Sequence, residues 1–179
     1  IVFNLLLTSD EGWIEALTKI GHVVLEPPAP APREPVRQVR MVEPLKVGEP
    51  MSDYPFTNQF GVKFNLSDYR GQVLGFNFFF TRCPYPNYCP RMSKNFKETL
   101  GQMAARPDGP KNWQLLSISF DTRRDTPEVL KQYGREYDYD PARWTLATGA
   151  LIDIDAITEQ FGLEFSPDDE FFSHNVRTV

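Results

Sequence analysis

Cys83 and Cys89 are the only two cysteines of this chain, and they sit inside the segment Val73–Lys94, VLGFNFFFTRCPYPNYCPRMSK. A lone thiol pair can form one bridge, one soft-metal site or one redox couple, and each use runs through the thiolate. The spacing Cys83-x5-Cys89 differs from the Cys-x-x-Cys of a thioredoxin-type dithiol. Pro84 and Pro86 stiffen the loop, so it can hold two sulfurs apart around a metal or close enough for a bridge. Pro90 follows Cys89 and suits a first helical position, where its missing N–H costs nothing. A thiol at that helix start faces orphan N–H groups and the positive end of the dipole, so its pKa is expected to fall. Arg82 either favours the neighbouring thiolate by charge or lies at the surface.

His174 is the other strong ligand candidate in this part of the chain. One imidazole with two thiolates makes a soft, low-coordination site suited to copper, whereas a closed structural zinc site calls for four ligands. Spacing alone does not bring His174 to the cysteines. What recommends it is its expected place at the opening of the last strand, where parallel α/β folds gather functional residues. His22 is isolated, without a partner at metal spacing. Met92 and Met103 share a helical face with Phe96 and Leu100 and read as core. Tyr85 and Tyr88 line the cysteine loop. Asp168, Asp169 and Glu170 read as a solvated run, or as an acidic lip that attracts cations or a basic partner.

The elements that must position these residues follow from apolar periodicity. Val73–Phe80 reads as a strand buried on both faces, and Met92, Phe96, Leu100 and Met103 mark the helix after Cys89. Asp53–Phe56 and Val62–Leu66 flank a Gly-containing turn and read as a β-hairpin. Trp113–Phe120 is a second buried strand. Asp125-Thr126-Pro127-Glu128 then opens a helix, with Asp125 as its cap, and Val129, Leu130, Tyr133 and Tyr137 form its inner face. Trp144–Ala147 is a third strand, followed by helical spacing over Leu151, Ile154, Ile157 and Phe161 and a stop at Gly162. Strands alternating with helices of this length predict an α/β domain with a substantially parallel sheet.

Upstream, Ile1–Leu7 reads as a strand, and Trp13, Ile14, Leu17 and Ile20 as one face of a helix begun at Thr8–Glu11. One strand and one helix cannot bury a core, so residues 1–21 are expected to be the tail of an upstream domain. Residues 22–50 hold the Pro-rich stretch Glu26–Pro35, an extended spacer of polyproline type with solvated Arg33, Arg37 and Arg40. The main domain is expected at 51–179. Ile1 opens inside a strand-like run without an initiator Met, and Asn175–Val179 reads as a strand cut short, so both ends are expected to continue in the natural protein.

Composition bounds the partners. With 179 residues, 41% hydrophobic content and 14 Phe, the chain can build a real core. A net charge of −5 argues against nucleic-acid binding, which calls for a basic stripe. No run approaches the ~18 apolar residues of a membrane span.

Three segments, FTRCPYPNYCPRMSKNF, SISFDTRRDTPEVLKQY and SHNVRTV, resemble the SCO/SenC family of thioredoxin-fold copper proteins. That family carries Cys-x3-Cys-Pro at this junction, D-x-x-x-D-T-P after the next strand, and a His beginning a late strand. The resemblance covers residues 51–179. It implies a thioredoxin-like fold with a central mixed sheet flanked by helices, and copper bound by Cys83, Cys89 and His174. It also implies service in cytochrome oxidase assembly. Asp121 and Asp125 match the family's acidic positions, with Asp121 a candidate to support the ligands or bind Cu(II) weakly. The cysteine loop is two residues longer than the family's, and the C-terminal strand and helix expected of the family are missing from residues 51–179. Residues 1–21 faintly resemble the end of a copper-binding β-barrel module.

The leading expectation is therefore a copper-transfer protein rather than a turnover enzyme, holding Cu(I), and tolerating Cu(II), for a cytochrome oxidase copper-site subunit or another copper or thiol protein. The rival is a thiol–disulfide oxidoreductase using Cys83 and Cys89 as a redox pair. A peroxide-reducing thiol enzyme ranks third. The first two suit an extracytoplasmic site, periplasmic or held at a membrane.

Overall fold

A computed structural model describes residues 2–7, 12–18, 44–106, 108–167, 172–175 and 178–179. The Pro-rich stretch, His22, Arg33, Arg37, Arg40 and the acidic run Asp168–Glu170 lie outside the described residues. The chain divides into two compact units, Ile1–Val39 and Arg40–Val179.

The first unit contains β1 (Val2–Leu7) and β2 (Gly12–Thr18), which pair antiparallel with Leu7 opposite Gly12 and Leu6 opposite Trp13. Over Trp13–Thr18 the expected helix is thus a strand; Ile20 lies outside the described residues. Seven residues are too few to separate a helical from an extended period. The unmet N–H and C=O groups of β1 supply a partner that local propensity cannot weigh.

The second unit is a five-stranded mixed sheet in the order β4-β3-β7-β6-β5. β3 (Pro55–Asn58) and β4 (Lys63–Asn65) form the expected hairpin, and β3 also runs antiparallel to β7 (Trp144–Thr148). β5 (Val73–Phe79), β6 (Trp113–Ser119) and β7 are mutually parallel. The crossovers are α1 (Cys89–Ala104) and α2 (Pro127–Glu136), and α3 (Leu151–Gln160) follows β7. Parallel pairing sets the carboxyl ends of β5, β6 and β7 along one edge, and the cysteine loop and the Asp121–Asp125 segment leave from that edge.

Apolar residues from sheet and helices close the core, with Phe78, Leu116, Ile118, Leu130, Leu146, Ile154 and Ile157 fully buried. The Phe-rich run of β5 meets other rings, Phe76 on Phe161 at 4.9 Å and Phe79 on Tyr133 at 5.1 Å. Burial in β5 starts at Phe76; Val73 is exposed, so only the later part of the strand is covered on both faces. Met92 is buried and Met103 packs against the core, as their spacing indicated.

After α3 the chain turns at Gly162, whose φ of +65° is the left-handed conformation expected of a helix stop. It enters β8 (Phe165–Pro167), paired antiparallel with β9 (Phe172–His174). His174 therefore closes a short hairpin instead of opening the last strand. The chain then reaches the outer edge of β5, where Val179 and Phe76 exchange backbone hydrogen bonds of 2.8 Å each.

Candidate metal centre

Two structural segments meet at the carboxyl edge of the sheet, the loop after β5 and the end of β9. Cys83 lies in the loop, partly exposed; Cys89 is the first residue of α1, fully buried. Pro90 occupies the second helical position, one later than expected. The Nε2 atom of His174 stands 3.9 Å from Cys83 Sγ and 3.8 Å from Cys89 Sγ. The three ligand atoms all lie within 4.8 Å of one another. Both cysteines are free thiols.

These separations fit a small soft ion. With metal–sulfur and metal–nitrogen bonds of about 2.3 and 2.0 Å, a trigonal ion holds sulfur and nitrogen roughly 3.7 Å apart. The longer loop does not separate the sulfurs, because its extra length closes on itself: Tyr88 N–H donates to Tyr85 O at 3.0 Å.

The imidazole is oriented from behind. Nδ1 donates to the carbonyl of Asn175 at 2.6 Å, which leaves the Nε2 lone pair for a metal. Asn175 is itself anchored, accepting from Glu164 N–H and donating to Gly162 O, both at 3.1 Å. Phe80 and Phe120 press on the ring with centroids at 5.6 and 5.3 Å. Sequence reasoning passed over Asn175, Phe80 and Phe120. Their one local signal was adjacency to His174 or to a strand end.

The two thiols are unequal. Cys83 is pulled down to about 4, chiefly because Cys89 hydrogen-bonds to it, with burial opposing the shift. Cys89 is raised, first by that same hydrogen bond and then by desolvation. The expected fall at the helix start thus appears on the sulfur outside the helix. The pair shares one proton, and the fully buried sulfur keeps it because a thiolate there would be the more poorly solvated.

Asp121 is buried and lies outside the cluster of Cys83, Cys89 and His174; its Oδ2 stands 3.6 Å from the Arg82 guanidinium. Arg82 therefore turns to a carboxylate. Asp125 does not cap α2; Thr126 does, accepting from Val129 N–H at 3.4 Å. Asp125 instead accepts from Thr81 N–H at 3.0 Å, from the Thr81 hydroxyl at 2.6 Å and from the Ser119 hydroxyl. This buried carboxylate ties the root of the cysteine loop to β6.

A model of the SCO1/SenC family matches residues 43–179. The human protein described as mitochondrial SCO1 homolog is 25% identical over 150 residues, covering 83% of this chain and 48% of its own length. The chain spans about half the length of the curated relatives it matches. A SCO1/SenC family lipoprotein from Bacillus anthracis superposes with a TM-score of 0.62 at 28% identity, covering 70% of this chain and 73% of its own. Copper-bound yeast Sco1 superposes with a TM-score of 0.59 at 23% identity, covering 69% and 68%. These likenesses bear out the thioredoxin-like mixed-sheet architecture read from the sequence.

Proposed function

The chain belongs to the SCO1/SenC family, and from that premise we propose that it binds one copper ion through Cys83, Cys89 and His174. We further propose that it hands the ion to, or keeps reduced the thiols of, a cytochrome oxidase copper site. The observation that carries this reading is the convergence of two thiols and one imidazole nitrogen, drawn from segments 85 and more residues apart, within 4.8 Å. Thiolates favour Cu(I), and the imidazole makes Cu(II) tolerable. Cys83 offers its thiolate directly, Cys89 gives up its proton on loading, and Nε2 of His174 completes the set. The copper is cargo, so the partly exposed Cys83 is the side from which a partner's ligands reach it.

An extracytoplasmic position suits a thiol pair that must cycle. It also accords with a family that includes a lipoprotein and a mitochondrial protein. Among the described residues no helix is long and apolar enough to cross a membrane. We read residues 1–21 as the edge of an upstream module, and the paired strands β1 and β2 suit a β-rich one.

The unequal thiols favour one rival, a thiol–disulfide oxidoreductase. There the Cys83 thiolate attacks a partner disulfide, breaking its S–S bond, forming a mixed disulfide with one partner sulfur and releasing the other as a thiolate. Cys89 then attacks Cys83 Sγ, its proton goes to the departing partner thiolate, and two electrons pass to the partner.

The test is an anaerobic Cu(I) titration of the reduced protein against a competing chelator, beside Cys83→Ser, Cys89→Ser and His174→Ala. One tight equivalent, lost in each cysteine variant and weakened in His174→Ala, is the expected result. Weak binding indifferent to His174, with partner-disulfide reduction intact in His174→Ala, would overturn the copper reading in favour of the rival.

A further inference from the structure

The loop between the cysteines carries two tyrosines that neither thiol chemistry nor core packing requires. Tyr85-Pro86-Asn87-Tyr88 forms a turn closed by Tyr88 N–H to Tyr85 O at 3.0 Å. Pro86 and Asn87 occupy its central positions, where a preset φ and a short polar side chain suit the bend. The turn packs the two rings together, centroids 5.5 Å apart. Tyr88 then meets the imidazole of His174 at 5.4 Å, the planes inclined by 70°. Of the three aromatic rings on that imidazole among the described residues, Phe80 and Phe120 are buried and Tyr88 is exposed to 39%.

We propose that Tyr88 is a positioning residue for His174, holding the imidazole so that Nε2 faces both sulfurs. The χ2 torsion of histidine is broad and roughly two-fold, so backbone placement alone does not decide which ring edge points inward. A half-turn would swap the Nε2 edge for a carbon edge and break the Nδ1–H bond to Asn175 O. Phe80 and Phe120 bound the ring from the core, and Tyr88 bounds it from the solvent side. The contact is ring on ring, so the phenol oxygen is dispensable and phenylalanine should serve. Because Tyr88 immediately precedes Cys89 at the N-cap of α1, one turn of chain sets both a sulfur and the orientation of the nitrogen opposite it.

The inference builds on the metal site proposed above, and a copper-free measurement keeps the two separable. In the reduced, metal-free protein, nitrogen-edited NMR reads which ring nitrogen of His174 carries the proton. The wild type and Tyr88→Phe are expected to hold the Nδ1–H form alone. Tyr88→Ala is expected to mix tautomers, and so is Tyr88→Leu, which keeps an apolar side chain at the helix start. Cu(I) affinity by chelator competition should fall about two- to tenfold in the Ala and Leu variants, the range an aromatic pair contact supplies. Retention of the pure Nδ1–H form in Tyr88→Ala or Tyr88→Leu, or a Tyr88→Phe that behaves like Tyr88→Ala, would overturn the assignment. If no variant, nor the wild type, binds Cu(I) tightly, the copper site fails and the tautomer alone decides the role of Tyr88.

Discussion

His174 and Asn175 act as one unit: the Asn175 carbonyl accepts Nδ1–H of His174 at 2.6 Å, while the Asn175 side chain is pinned to Gly162 and Glu164 at 3.1 Å each. The base of the β8–β9 hairpin is thereby fastened to the end of α3, and the imidazole to that base. Asn175→Ala keeps the backbone acceptor but removes both anchors. The expected loss is about 1–2 kcal/mol of stability from two net hydrogen bonds. Cu(I) affinity should drop about tenfold, the low end for groups that orient a metal ligand. Chemical denaturation and chelator competition check the two effects.

Asp125 connects the cysteine loop to β6 through three donors, so Asp125→Ala should cost about 3 kcal/mol or more, leaving buried donors unmet. Its pKa is raised, mainly by burial, with Asp121 adding and the Ser119 and Thr81 bonds opposing. The folded state thus holds this proton more tightly than the unfolded chain. The stabilisation is full below the unfolded value of about 3.9 and is lost as pH rises through the raised folded value. Tm measured against pH should therefore fall more across that window for the wild type than for Asp125→Asn. Parallel profiles would contradict the assignment.

In the reduced protein Cys83, pulled down to about 4, should already be thiolate at neutral pH. Its alkylation by iodoacetamide should be flat between about pH 6 and 8, where an ordinary thiol with pKa near 8.5 accelerates steeply. Cys89, buried and holding the shared proton, should be spared. Cys89→Ala removes the S–H donor and should move the Cys83 profile upward. Mass spectrometry of the modified peptides separates the two sites.

Joining Cys83 to Cys89 as a disulfide with an added oxidant such as diamide, which takes up two electrons, releases the single proton held on Cys89 and removes both sulfur ligands. The oxidised protein should bind no Cu(I), and dithiol reductant should restore binding. Stripping copper from the reduced protein should lower Tm without abolishing cooperative unfolding. The core of Phe78, Leu116, Ile118 and Leu146 is fully buried by other side chains, and ligand stabilisation is a mass-action term added to it. Calorimetry with and without copper tests this.

Gly134 lies inside α2, where Ala ordinarily gains about 0.5–1 kcal/mol over Gly. Here a Cβ would meet Leu146 Cδ1 and the Tyr139 ring at 2.8 Å. Overpacking should win, and Gly134→Ala should lose about 1–3 kcal/mol in urea denaturation.

Much of this protein is legible along the chain. The buried strands that lead to Cys83 and Asp121, the helices opening at Cys89 and Pro127, and the stop at Gly162 all follow from local apolar period, proline position and glycine conformation. The thiol pair and the histidine are likewise visible as residue types that bind soft metals. Tertiary structure decided the rest, because it depends on partners distant in sequence. Trp13–Thr18 became a strand through pairing with β1, and Asp125 left the helix cap for Thr81 and Ser119. The proton settled on Cys89 because burial there outweighs the helix end. Above all, His174 reaches the sulfurs only because α3, Gly162 and the Asn175 anchors return the chain to the carboxyl edge of the sheet; no spacing encodes a contact across 85 residues or more.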